Sequence, residues 1–218
     1  MKLLVPPQSG SIAGQTASRN RYGQYVRTRA VPVNPNSVPQ TVARARLGAQ
    51  AAAYRTLTDA QRAGWDSLGL MMTRTDSLGQ QYDLTGAQAY ASVNSLNAAA
   101  GNAVVADAPA LTTPGTLLTA VLTLTAAAMS VAYTATPLAA GVRLFSFCSP
   151  QRSAGRSYES DYRLIAVSAA AAASPANIYA AYLARLGVPV VGNRVFFQLQ
   201  LYQAGFLGAA LNLSQVVV

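Results

Sequence analysis

The sequence has no histidine, one cysteine and seven acidic residues among 218 positions. Without histidine, the chain lacks the commonest general base and the commonest metal ligand. Its one cysteine, Cys148, excludes an intrachain disulfide and a cysteine-based zinc site. A thiol nucleophile also needs a base beside it, so we expect Cys148 to be a buried core residue. These absences exclude most catalytic chemistry, and we expect a protein that is not an enzyme and binds no cofactor.

The carboxylates are sparse and offer one close pair. They are Asp59, Asp66, Asp76, Asp83, Asp107, Glu159 and Asp161. Glu159 and Asp161 lie in a predicted loop beside Arg152, Arg156 and Arg163. A carboxylate or cation site is one interpretation of this loop. We favour a solvated loop with local ion pairs, because an exposed loop does not desolvate a carboxylate and so does not tune its pKa.

The longest uncharged stretch, Leu117 to Val142, is rich in threonine, alternates in polarity and contains a proline. These features indicate two strands rather than a membrane-spanning helix. The opening "MKLLVPPQSG" is too short in apolar residues for a signal peptide. We therefore expect a chain that is made in a cytoplasm and does not enter a membrane.

Positive charge is abundant and is carried almost entirely by arginine. The net charge is +9, and residues 1–58 contain eight basic residues and no acidic one. Arginine suits fixed, forked contacts to carboxylates and phosphates better than lysine does. A GC-rich genome would also favour arginine codons, so both explanations remain open.

We expect residues 1–37 to form an extended basic arm, and the stretch Arg19–Gln40 has neither a helical nor a strand period. Glycines and prolines interrupt it throughout, and it contains too little apolar surface to order itself. The residues that we expect to contact a partner are Arg19, Arg21, Tyr22, Tyr25, Arg27, Arg29, Asn34 and Pro35. Arginines two positions apart project to one side of an extended chain, where each can form forked hydrogen bonds.

Three functions are open to this segment. It could lie along neighbouring protein subunits and become ordered on binding, which is the interpretation that we favour. It could bind a nucleic-acid backbone by charge, with its tyrosines stacking on bases. It could also be a simple solubilising tail.

Helix formers dominate the region 38–115. One helix begins near its start, and a second begins after Thr58, where Gln61 completes a capping box. We expect these two helices to form a hairpin. Its predicted core comprises Tyr54, Leu57, Trp65 and Leu68. A third helix is predicted after Thr85, followed by a proline-bearing connector.

The region 116–218 alternates with the period of β-strands. Leu122 and Leu124 face one way and Thr123 and Thr125 the other. Further strand candidates are "MSVAY", "GVRLFSFCSP", "DYRLIAVSA", "NRVFFQLQLYQA" and "AALNLSQVV", with one short helix between Ser174 and Gly187. Short strands separated by turns favour an antiparallel sandwich. The predicted fold class is therefore α+β, with an extended N-terminal arm, a small helical region and a C-terminal β-sandwich.

Three stretches together resemble uncharacterised proteins of tailed-phage and prophage gene clusters. They are "SRNRYGQYVRTRAVPVNPNSVPQ", "LTDAQRAGWDSLG" and "DSLGQQYDLTGAQAYASVNSLNAAAG". The matching positions are Arg19, Arg21, Gly23, Arg27, Arg29, Pro32, Asn34, Pro35, Gln40, Leu57, Thr58, Gln61, Arg62, Trp65, Thr85, Gly86, Tyr90 and Asn94. The likeness covers about the first 110 residues, and the β region resembles the family only in character.

The resemblance implies an immunoglobulin- or fibronectin III-like C-terminal domain and a structural role in the virion. We expect a head-associated protein, either a decoration or a head–tail connecting component, that is assembled in the host cytoplasm. Its expected partners are other virion proteins and copies of itself. A tail or fibre-attachment protein is one alternative. A virion protein that binds nucleic acid through the arm is another.

Overall fold

The computed structural model describes residues 9–31, 33–134 and 136–218. The remaining positions, which include the start of the predicted arm and Pro32, lie outside the described ranges. The chain divides into two compact units, Met1–Ala43 and Arg44–Val218. The described residues form a mixed α+β fold whose strand pairs are antiparallel, which confirms the coarse fold class.

The N-terminal unit contains a three-stranded meander. Its strands are β1 (Gly10–Ile12), β2 (Gln15–Asn20) and β3 (Gly23–Thr28), in the order β1-β2-β3. Ala13 and Gly14 both have positive φ, the conformation that two-residue hairpin turns require. The expectation of an arm with no structure of its own is therefore wrong for residues 10–28. The turns let β-forming residues such as Thr16, Tyr25 and Val26 pair within the segment.

Three helices follow: α1 (Val38–Arg55), α2 (Asp59–Met71) and α3 (Gly86–Ala99). Both Thr58 and Thr85 complete capping boxes, with Gln61 and Gln88 respectively. These two boxes explain why α2 and α3 begin where the sequence predicted.

The helical core joins α2 to α3 rather than forming a simple hairpin of α1 and α2. Trp65 packs edge-on against Tyr90 with ring centroids 5.1 Å apart, and Tyr54 packs against Tyr90 in a tilted arrangement at 5.4 Å. The buried members of this cluster are Leu57, Trp65, Leu68, Ala89, Tyr90, Val93 and Phe206. The predicted core residues are thus present, but α3 supplies much of what covers them.

Close approach of the two helices depends on a glycine. A Cβ atom at Gly86 would lie 2.1 Å from Asp66 Oδ1, and the Gly86 amide donates to that same oxygen at 3.1 Å. Between the helices, β4 (Thr73–Thr75) and β5 (Gln81–Asp83) form a small hairpin. Asp76 Oδ1 closes its turn by accepting from the amides of Leu78 and Gln80.

The remaining strands form two sheets. The smaller has the order β11-β7-β6, from β6 (Thr119–Leu124), β7 (Met129–Thr134) and β11 (Ala176–Asn177). The larger contains β8 (Arg143–Cys148), β9 (Arg152–Ser153), β10 (Arg163–Val167), β12 (Asn193–Gln203), β13 (Phe206–Leu207) and β14 (Leu211–Val216). β12 is its central strand, pairing with β8 on one side and β14 on the other.

The long strands lie where the alternating pattern placed them, and the stretch 117–142 forms β6 and β7 as predicted. Helix α4 (Tyr179–Leu186) is shorter than expected, because residues 176–177 instead pair with β7. Among the described residues, no helix combines the length and apolar character needed to cross a membrane.

One hydrophobic cluster contains residues of both sheets. From the small sheet come Leu124, Met129, Val131 and Tyr133, and from the large sheet Leu144, Cys148, Val195, Phe197 and Leu199. We call the face of the large sheet that carries these residues its inner face, and the opposite face its outer face. Side chains alternate along each strand, so the residues between them point to the outer face.

The outer face is partly covered by the end of the helical region. Phe145 and Tyr202 stack there with centroids 5.2 Å apart and pack against Ala100. The Tyr202 hydroxyl donates to Asn97 Oδ1 at 2.5 Å and accepts from Asn102 Nδ2 at 2.9 Å. Helical and β regions are therefore joined by buried polar contacts as well as by apolar ones.

Tyr202→Phe tests the strength of this junction. We expect the free energy of unfolding to fall by about 1–3 kcal/mol, because the buried Asn97 carbonyl oxygen loses its donor. Urea unfolding followed by tryptophan fluorescence measures the change at Trp65. Tyr82→Phe is the matched control, since Tyr82 is exposed on β5 and should tolerate the loss of its hydroxyl. Equal stability of the two variants would contradict the assigned role of Tyr202.

Candidate functional site

The partner-binding residues predicted from sequence lie on or beside the N-terminal sheet. The arginines at 19, 21, 27 and 29 are exposed, as is Tyr22, while Tyr25 is half-buried. Ile12 and Val26 add apolar surface, with 82% and 38% of their areas exposed. Over the described residues, no buried hydrophobic cluster includes a residue of this sheet.

The strand register places the arginines differently from what we expected for a single extended chain. Arg19 is paired with Gln24, and Arg27 with Thr16. These two pairs fall on opposite faces of the sheet, because side chains alternate along β2 and β3. Arg21 lies in the turn and so does not continue the face of Arg19. The sheet thus presents positive charge on both faces and at its tip.

The tip of the second hairpin combines a cation with an aromatic ring. The Arg21 guanidinium lies 4.7 Å from the centroid of the Tyr22 ring and also hydrogen-bonds to the Tyr22 hydroxyl. Asn20 Oδ1 accepts from the Tyr22 amide at 2.9 Å and so holds the turn. The exposed tip therefore presents a guanidinium beside an aromatic ring.

Asn34 and Pro35 lie in an exposed turn before α1. Asn34 Oδ1 accepts from the Asn36 amide at 3.2 Å, and Asn36 has a φ of 48°. This is the turn-forming hydrogen bond for which asparagine is favoured. These two predicted contact residues therefore lie in a turn that a local hydrogen bond holds.

The acidic loop differs from its prediction in one respect. Local ion pairs are present, but Glu159 is buried, with 1% of its side chain exposed. The guanidinium of Arg152 binds one carboxylate oxygen, and Arg156 and the amides of Ser160 and Asp161 bind the other. The hydrogen bond from Arg152 is the main cause that lowers the pKa of Glu159 to about 2, and the two amides add to it.

Cys148 is buried in the inter-sheet core, as predicted. Burial raises the pKa of its thiol to about 12, so the thiol is protonated at neutral pH. A protonated, enclosed thiol is a packing group rather than a nucleophile.

Sequence reasoning did not identify a groove on the outer face of the large sheet. The loop containing Glu159 forms one wall of it, and side chains of β12 and β14 line its floor. The available signal was the run of Gln198 and Gln200, polar residues that alternate with buried ones along β12. The loop could not be placed over that face from the sequence, because the two are distant along the chain.

Comparison with protein families, with characterised proteins and with solved structures finds no match to this chain.

The Glu159 contacts predict an acid-dependent loss of stability. The folded-state pKa of about 2 lies below the ordinary value of 4.5, so the stabilisation is complete above pH 4.5 and is lost as the pH falls towards 2. We expect Glu159→Gln to lower the free energy of unfolding at neutral pH and to approach the parent protein near pH 2. Urea unfolding at a series of pH values measures both.

Asp161→Asn is the control for that experiment. Asp161 pairs with Arg163 at 3.1 Å and lies 3.9 Å from Arg152, but 44% of its side chain is exposed. Exposed ion pairs contribute little, so we expect a small change that depends weakly on pH. A Glu159→Gln variant no less stable than Asp161→Asn at neutral pH would contradict the assignment.

Proposed function

We propose that this chain is a non-enzymatic structural component of a tailed-phage virion, anchored to neighbouring subunits through its N-terminal sheet. The leading position is on the head, as a decoration or head–tail connecting protein. The observation that carries the proposal is a folded basic sheet, none of whose residues belongs to a buried hydrophobic cluster of the described residues.

A sheet of this size is poorly suited to exist alone. Three strands are the minimum for a sheet that is stable on its own, and they need a hydrophobic face or packing against a helix. Here Ile12, Ala17 and Val26 share one face by register, and Ile12 is largely exposed. A neighbouring subunit that covered this face would supply the missing core.

The sheet also has an edge that a partner strand could extend. β3 pairs with β2 on one side, and no described strand pairs with its other side. An unpaired edge presents backbone donors and acceptors to a strand from another chain. Arg27 and Arg29, beside this edge, can bind carboxylates of the same partner through forked hydrogen bonds.

The motif residues behind the phage resemblance have structural roles in the larger unit. Trp65 donates to the Ala106 carbonyl at 2.7 Å, and Asn94 exchanges two hydrogen bonds with the backbone of Val105. These contacts fix the connector that leads to the β region. We propose that the β region is an immunoglobulin- or fibronectin III-like sandwich, because its two sheets contribute to one core.

Nucleic-acid binding is the second candidate, and the Arg21–Tyr22 tip favours it. An exposed tyrosine beside a guanidinium could stack on an unpaired base while the arginines contact phosphates. The same residues would serve either function, so the two candidates must be separated by experiment.

Arginine substitution tests the anchoring role. We expect Arg27→Gln with Arg29→Gln to fold normally but to enter particles at a reduced level, because the charged contacts of the β3 edge are lost. Removal of residues 1–37 should abolish incorporation. Particles from a phage that lacks its own copy are purified, separated into heads and tails, and probed for the protein.

The matched control is Arg46→Gln with Arg74→Gln, which removes the same charge from exposed positions outside the sheet. Full incorporation of the protein without residues 1–37 would overturn the anchoring role. Recovery of the protein with tails rather than heads would favour a tail or fibre-attachment protein.

Salt dependence separates the nucleic-acid candidate. For the structural function, we expect negligible binding to single-stranded DNA at physiological salt. A binder using four arginines would instead show a slope of about −3 in log K against log salt concentration, from about −0.7 per neutralised phosphate. Fluorescence anisotropy with a labelled oligonucleotide measures the slope. Tight, salt-sensitive binding lost in Arg19→Gln with Arg21→Gln would favour the alternative.

A further inference from the structure

The groove on the outer face of the large sheet has the size of a ligand site. Its volume is about 670 Å³, within the range typical of small-molecule sites. Phe147, Phe196, Gln198 and Asn212 lie on its floor, and Tyr158 is on its wall. All of these residues belong to the unit Arg44–Val218, so the groove is formed within one compact unit.

The floor presents an ordered pair of amides. Gln198 and Asn212 are directly opposite in the register of β12 and β14, and Gln198 Nε2 donates to Asn212 Oδ1 at 3.3 Å. This hydrogen bond links the two amide groups, of which that of Gln198 is on a half-buried residue and that of Asn212 on an exposed one. It leaves Gln198 Oε1 as an acceptor and Asn212 Nδ2 as a donor, and no described residue bonds to either atom.

Aromatic surface accompanies these polar atoms. Tyr158 is 72% exposed although it lies beside a buried glutamate, and no described residue bonds to its hydroxyl. Phe147 contributes a half-buried ring to the floor beside the amides. A ring face beside an amide acceptor and an amide donor suits a ligand with both apolar C–H surface and hydroxyl groups.

The groove holds little uncompensated charge. Glu159 is the one ionisable carboxylate among its lining residues, and Arg152 and Arg156 already neutralise it. Among the lining residues a charged ligand would therefore find no free counter-charge, although Arg194, outside the lining, donates to the lining Ser214 at 3.4 Å. The floor itself is a sheet face whose backbone groups are engaged between β12 and β14, whereas the other edge of β14 pairs with no described strand, so a peptide would have to add to that edge rather than lie on the floor.

From this combination we propose that the groove binds a neutral oligosaccharide. A sugar ring stacks on Tyr158, and adjacent hydroxyls bind Gln198 Oε1 and Asn212 Nδ2. A hydroxyl both donates and accepts, so neighbouring hydroxyls satisfy the free acceptor and the free donor together. This binding function is separate from the anchoring function and requires nothing of the N-terminal sheet.

The test uses the full-length protein on an array of neutral and charged glycans. Isothermal titration with chitohexaose, cellohexaose and maltohexaose follows at millimolar concentrations. We expect binding to at least one neutral glycan. Tyr158→Ala and Gln198→Ala should each weaken that binding by about tenfold or more, as the loss of one stacking or hydrogen-bonding contact implies.

Tyr82→Ala and Gln81→Ala are the matched controls, since both residues are exposed on β5, away from the groove lining. They should leave the affinity unchanged. Circular dichroism confirms that every variant is folded, and wild-type NMR shifts on sugar addition report the site independently of substitution. Shifts confined to β12, β14 and the Tyr158 loop support the proposal.

Three results would overturn it. One is the absence of binding to every neutral glycan on the array and in titration. Another is binding only to anionic glycans or to peptides. The third is neutral-glycan binding that Tyr158→Ala and Gln198→Ala both leave intact. None of these results bears on whether the protein enters particles, so the anchoring proposal stands or fails separately.

Discussion

Burial of β12 on both faces is the constraint on which the larger unit depends. Its inner face supplies Val195, Phe197 and Leu199 to the core shared by the two sheets. Its outer face carries Tyr202, whose hydroxyl is held by Asn97 and Asn102 at the end of the helical region. If only the inner face of β12 were apolar, the helical region would have no apolar surface of this sheet to pack against. The helical and β regions are therefore one compact unit, although their sequences look unlike.

The same outer face explains why the groove exists. The helical region covers only the part around Phe145 and Tyr202, and the loop carrying Glu159 stands over the part around Phe196 and Gln198. Glu159 holds that loop in position because four donors converge on its carboxylate. A buried charge is tolerable only when it is paired and fully hydrogen-bonded, and this one is. The position of the groove wall thus follows from an electrostatic contact rather than from apolar packing.

The N-terminal unit differs from the larger unit in how its side chains are buried. Its sheet has turns, a register and β-forming residues, but none of the buried clusters among the described residues reaches it. Ile12, Tyr22 and the arginines at 19, 21, 27 and 29 are exposed in this unit. Its basic composition predicts that this segment is an interface. The meander places the basic side chains differently from an extended arm, since charge is displayed on two faces and at the tip.

Much of the architecture could be read from local patterns. The capping boxes at Thr58 and Thr85 involve only nearby residues, and the alternation along β12 indicates which side chains are buried. The sequence alone therefore determined most helix starts and strand positions. The arginine content and the lack of histidine likewise limited the kinds of functional site that the sequence predicts. The tertiary structure decided that α3 covers Trp65, that residues 10–28 close into a sheet, and that Glu159 is buried against Arg152. These outcomes depend on contacts between residues that meet only when the chain folds. Single-residue propensities do not predict which residues make those contacts.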